Sequence, residues 1–140
     1  MANFSDQMEN DIINHFLRNV TSTAKETHYL ALFTADSGLE ANLPTAECAG
    51  DAYARATVTF TAATDETASG TSQNVATVTW AEATGAWGAI THVAIVDHVS
   101  NVTWGTNVNV LMWGALDATK TVNTGDTFKI AAGDLDITVA

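Results

Sequence analysis

The stretch "GAITHVAIVDH", Gly88 to His98, gathers His92, Asp97 and His98 into one short apolar run. A histidine with an aspartate could form an acid–base pair, and two histidines with a carboxylate could hold a metal. Strand geometry restricts both. The β-branched run from Ile90 to Asp97 reads as a strand. Straight alternation puts Ile90, His92, Ala94, Val96 and His98 on one face and Thr91, Val93, Ile95 and Asp97 on the other. His92 and Asp97 then point apart. His92 and His98 share a face, but at about 3.3 Å per residue they lie roughly 20 Å apart, too far for two bonds of ~2 Å to one metal. His92 is therefore expected to be a fold residue, bonded to a backbone carbonyl or a neighbouring hydroxyl.

The other candidates are weaker still. "DLD", Asp134 to Asp136, sets two carboxylates on one face of a last strand, which could bind calcium if loop carbonyls joined them, but a charged edge that discourages strand pairing fits better. Cys48 is the single cysteine, with no disulfide partner, no zinc spacing and no adjacent Lys or Arg to activate it. No phosphate loop, nucleophile elbow or zinc-protease helix occurs. The expectation is a protein that is not an enzyme, with no catalytic, cofactor-binding or metal residues and no cofactor. Trp80 and Trp113 fall in strand patterns and suit a core, whereas Trp87 and Trp104 each precede a glycine in a turn and are the better candidates for an exposed, sugar-stacking surface, although loop tryptophans more often fold back over a sandwich end.

Charge excludes further classes. Sixteen Asp and Glu oppose five Lys and Arg, giving −11 over 140 residues. Neither nucleic acid nor an anionic membrane surface suits that balance. Charged residues are only 15% of the chain, so its Thr- and Ala-rich strands suit packing against copies of itself or a partner. The start "MANFSDQMEN" lacks the features of a secretory signal, and folding in a cytoplasm is expected. "NVT" at 101–103 is then a chance glycosylation pattern.

These side chains sit in an order of elements that changes period once. Ser5 can cap a helix over residues 5–18 whose stripe is Met8, Ile12, Ile13, Phe16 and Leu17, with Phe4 before it. We expect this stripe to pack on its own domain, the alternative being an arm that docks on a partner. After it, period 2 takes over in "HYLALFTA", "AYARATVTF", "VATVTWAEA", "ITHVAIVD", "VNVLMWGAL", "TFKIAA" and "LDITVA", with "KTV" at 120–122 a candidate eighth strand. Many strands without intervening helices predict an all-β antiparallel sandwich or jelly roll of 7–8 strands, with residues 1–20 a helical arm and 21–140 the β-domain. The core is expected to draw on Leu30, Leu32, Val58, Phe60, Val78, Trp80, Val93, Ile95, Leu111, Trp113, Phe128, Ile130 and Ile137. Segments 35–51 and 61–74 exceed tight hairpins, and are expected to cross between sheets or reach outward.

The succession "HYLALFTAD", "YARATVTF", "WAEATGAWGAITHVAIVD" and "LMWGALDATKTVNTGDTFKIAAGDLDITV" resembles a family of short phage virion proteins of tail-fibre or structural type. The likeness rests on Asn14 and His15, Tyr29 to Leu32, Tyr53 to Arg55, Trp87-Gly88, Thr91-His92, Asp97, Gly114 to Leu116, Lys120-Thr121, Gly125-Asp126 and Gly133. It departs at "HVSNVTWGTNVN", where a shorter glycine-rich turn would be expected. The resemblance implies a non-enzymatic virion component. A capsid decoration, or cement, protein on the outer head surface is the leading expectation, bound to the major capsid protein and to copies of itself as a dimer or trimer. A small tail or tail-fibre attachment protein is the alternative, and a carbohydrate-binding β-sandwich module a second one. Partner contacts are expected from residues 1–20 or from the loops 36–51 and 61–74, taken as the parts least bound to the sandwich.

Overall fold

The computed structural model describes residues 3–66, 69–100 and 103–139. Among them the order is β1 (Asn3–Phe4), α1 (Asp6–Arg18), β2 (His28–Phe33), β3 (Ala56–Val58), β4 (Thr64–Glu66), β5 (Ser69–Gln73), β6 (Val78–Thr79), β7 (Gly88–Val96), β8 (Val110–Val122), β9 (Lys129–Ile130) and β10 (Asp136–Val139). The strands form antiparallel sheets ordered β1-β8-β7-β2-β3, β10-β5-β4 and β6-β9. The all-β reading with an N-terminal helix holds. The strand count is higher than expected because several strands are only two or three residues long. "KTV" is no separate strand but the end of β8. The segment 61–74 is not an irregular loop: β4 and β5 pair antiparallel, and β10 adds to them with Val139 opposite Gly70.

Burial explains the central strands. Leu30 and Leu32 face an inner core with Val58, Val78, Trp80, Val93, Ile95, Phe128 and Ile130, which lies between the five-stranded sheet and the smaller ones. Ala31 and Phe33 face outward into a second cluster with Leu39, Ala94, Val96, Val108 and Val110. With both faces covered, β2 needs apolar residues at every position, and "LALF" supplies them. Of the expected core, Phe60, Leu111 and Ile137 pack at the margin of the inner cluster, and Trp113 belongs to the outer one.

Two irregularities correct the simple alternation. A register shift between Ile90 and His92 moves Ile90 into the inner core, while His92, opposite Phe33, keeps the outer face with Ala94 and Val96. A second shift places Met112 opposite Ile95 but Val110 opposite Val96, so Leu111 and Met112 both pack toward the inner core.

The loop 36–45 covers the outer cluster and is not a free segment. Leu39 is fully buried in it, and Gly38, at φ +77, brings the chain so close that a β-carbon there would sit 2.1 Å from the Leu43 carbonyl oxygen. The expectation that 36–51 is loosely held is thus wrong. Asn101 and Val102, the start of the "NVT" triplet, lie outside the described residues.

Candidate functional site

The residues that first suggested chemistry are separated by the fold. His92 Nδ1 lies 2.8 Å from the hydroxyl of its neighbour Thr91, and its ring meets Trp113 at 6.0 Å. Asp97, whose side chain is only 2% exposed, accepts from the backbone and side-chain nitrogens of Asn109 at 2.7 and 3.0 Å and pairs with Lys25 at 3.3 Å. Burial pushes the Asp97 carboxyl up, but those donors outweigh it and hold it below the usual aspartate value. Asn109 also accepts from Asn42, whose Oδ1 receives the Val110 N–H at 2.7 Å. Asp97 is therefore a tie between the end of β7, the approach to β8 and the 36–45 loop. His98 takes part through its backbone carbonyl, which accepts from Arg55 at 2.9 Å.

The tryptophans in turns are not stacking platforms. Trp87 is buried, donating its indole N–H to the Asp51 carbonyl at 3.0 Å and meeting Tyr53 edge-on. Trp104 is half-buried, one face covered by the Arg55 guanidinium 4.6 Å from the ring centroid. The surface on which the carbohydrate-binding alternative relied is therefore not formed. Asp134 and Asp136 are exposed, and Asp136 accepts from Gln73 on the neighbouring β5. Among the described residues no three His, Cys, Asp or Glu side chains gather as a metal-binding group. Cys48 is buried; burial, with Glu47 beside it, pushes its pKa up to about 11.

The most concentrated buried polar group lay beyond any local motif. Glu47 receives Arg55 Nε at 2.6 Å and Nη2 at 2.7 Å, a two-pronged ion pair. The Tyr53 hydroxyl donates to Glu47 at 3.3 Å and accepts the Leu32 N–H at 2.9 Å, standing in for a strand partner beyond the Ala56 end of β3. Burial first, and the Glu47 charge second, hold the Tyr53 phenol well above its usual value. These groups face one another and the sheet edge, so the arrangement fixes loops. "YAR" was visible as part of the resemblance, but the partner Glu47 follows no helical or strand spacing and could not be read from sequence.

Two open surfaces among the described residues carry large apolar side chains. Helix α1 is firmly rooted: Ser5 is fully buried, bonds the β8 carbonyls of Val110 and Leu111, and accepts the Met8 N–H as N-cap. Its stripe then runs off the domain. Phe16 (73% exposed) and Leu17 (78% exposed) stand largely in solvent, Ile13 and Val20 are about half covered, Met8 and Ile12 are half-buried, and no residue of α1 is fully buried. The expectation that the stripe packs on its own domain holds only for its first half, Met8 and Ile12, and fails at Phe16 and Leu17. Burying a Phe or Leu is worth about 1.5–3 kcal/mol, so leaving both in water is a sizeable unmet contact. The second surface is a cleft of about 760 Å³ between β8 and the β9–β10 segment, with Met112, Leu116, Phe128, Leu135 and Ile137 in its lining.

A family profile described as "Podophage GP4 fiber I protein gp80" matches residues 3–138. The chain belongs to this family. As a gp80-family member it is a bacteriophage virion structural protein of tail-fibre type. The match runs from the first residue of β1 into β10, so the projecting helix and the cleft are both parts of the gp80-family unit. No curated protein matches the chain. The family's description names a fibre protein, which favours the tail-fibre alternative over the head-cement expectation.

Proposed function

We propose that this gp80-family protein is a small, non-enzymatic tail component, a fibre or fibre-attachment subunit, whose β-domain is a rigid body and whose α1 arm makes its contacts in the particle. The observation that carries the reading is a buried root beneath an uncovered stripe: Ser5 fixes the helix to β8, while Phe16 and Leu17 face solvent. A domain that needed the helix for its own stability would cover that stripe. The family description supports the tail setting. Its partners on this reading are copies of itself and an adjoining tail protein, with nucleic acid disfavoured by the net charge of −11.

Phage carrying Phe16→Asp with Leu17→Asp tests the role. The expected particles have filled, heat-stable heads, lack this protein and adsorb poorly to cells. Particles with normal tails and adsorption, but heads that rupture on mild heating, would instead establish the cement role.

A further inference from the structure

The ion pairs Glu47–Arg55 and Lys25–Asp97 differ in what their opening would leave behind. Parting Glu47 from Arg55 strands charges on side chains only 7% and 2% exposed. Parting Lys25 from Asp97 strands none. The Lys25 side chain is 52% exposed and returns to water, while Asp97 keeps both donors of Asn109, at 2.7 and 3.0 Å.

This second pair stands where the α1 arm comes back to the domain. Every residue from His15 to Thr27 is exposed. Asn19, at φ +55, turns the chain at the end of α1, and the bonds made by His15, Arg18, Asn19 and Val20 stay within the arm. Among the described residues, Lys25 to Asp97 is the single ion pair or hydrogen bond that joins this whole stretch to the β-domain. Residues 24–27 otherwise border a hollow of about 350 Å³ with Tyr29, Asp97, His98 and Val99. The arm thus has two feet on neighbouring residues of the domain. Ser5 bonds the carbonyls of Val110 and Leu111, and Lys25 holds Asp97, which is bonded to Asn109. The first foot is fully buried and caps the helix. The second is a half-exposed pair of the kind that salt weakens.

We propose that Lys25–Asp97 is a releasable latch on the α1 arm. Closed, it holds the return segment 20–27 against the end of β7 and so fixes the outer end of α1. Open, it frees that segment while Ser5 and the half-buried Met8 and Ile12 keep the first half of α1 in place. The outer end, with Phe16 and Leu17, then adjusts to a neighbour at no cost to the β-domain, because no buried charge is left alone. The use of the latch in assembly rests on the arm reading above. The latch itself is a property of the isolated protein and is measured there, so either can fail without the other.

The test is a distance measurement between two spin labels on the full chain, one at Thr23→Cys in the return segment and one at Thr57→Cys on β3, both exposed positions; Cys48 is buried and takes no label. With no further substitution, one dominant distance is expected in dilute buffer. Lys25→Met should spread it, as should about 1 M salt, where the screening length falls to about 3 Å. Arg18→Met, which removes a charge bonded within the arm, should leave it sharp, and Lys25→Met should unfold at the wild-type midpoint. A distribution already broad before Lys25 is changed overturns the proposal, since nothing is then latched. So does one that stays sharp in Lys25→Met, which would mean that other contacts hold the segment, or one that Arg18→Met spreads equally, the mark of a general charge effect. A clear drop in the Lys25→Met midpoint also overturns it, since opening would then weaken the β-domain.

Discussion

Glu47 and Arg55 meet as a two-pronged ion pair, Nε to Oε1 at 2.6 Å and Nη2 to Oε2 at 2.7 Å, with side chains 7% and 2% exposed. The pair joins the 46–48 segment to the chain entering β3, and Arg55 reaches on to the His98 carbonyl and the Trp104 ring. Removing one partner leaves the other charged and buried. Arg55→Ala and Glu47→Ala should each cost about 3–5 kcal/mol in urea unfolding. The double substitution Glu47→Leu, Arg55→Met should cost clearly less than the two single losses together, because no lone charge remains.

Asp97 gives stability an acid dependence of known sign. Its folded pKa is lowered, so the unfolded chain binds the proton more tightly and stability rises with pH in that range. The contribution is complete above the unfolded value of about 3.9 and is lost as pH falls through the folded one. Asp97→Asn should be less stable than wild type by about 1.5–3 kcal/mol at neutral pH. The gap between the two should close on acidification. A constant gap across the acid range would show that the charge of Asp97 contributes nothing.

Cys48 should be inert in the folded protein. With its pKa pushed up to about 11 and its side chain in the inner core, almost no accessible thiolate exists at pH 8. A thiol reagent should label it only after unfolding, and labelling of the native protein at the rate of a free cysteine would refute its buried position.

The arm should be dispensable for folding. Phe16→Asp touches a side chain that no part of the domain covers, so the unfolding midpoint of the monomer should move by no more than about 0.5 kcal/mol equivalent. A loss of several kcal/mol would mean that the stripe packs on its own domain after all.

Sequence legibility followed the range of the interactions. β2 and β7 were readable because burial on both faces demands apolar runs such as "LALF" and "VAIV". The helix was readable because Ser5 and the spacing of Met8, Ile12 and Phe16 are local signals. The β4–β5 hairpin was not, since its Thr and Ser residues carry no apolar alternation and it is held by strand pairing and hydroxyl hydrogen bonds such as Thr64 to Thr71. The register shift at Thr91 was equally hidden, and with it the true face of Ile90. That Trp87 folds back fits the usual behaviour of a loop tryptophan, but a turn sequence does not disclose that its indole will find the Asp51 carbonyl 36 residues away. As for the arm, amphipathicity says that a face seeks cover but not whether the cover lies in the same chain. At the site level, Asp97 was visible as a polar residue closing a strand, but its partners Asn109, Lys25 and, through Asn109, Asn42 come together only by folding.

The central claim is that this protein works at the tail, and electron cryomicroscopy of the intact virion tests it most directly. Fitting the β-domain into the map is expected to place copies at the tail, in fibres or at their attachment, with the α1 stripe covered by protein. Copies seated instead on the outer head shell at its symmetry axes, with none at the tail, would contradict the account and restore the cement role.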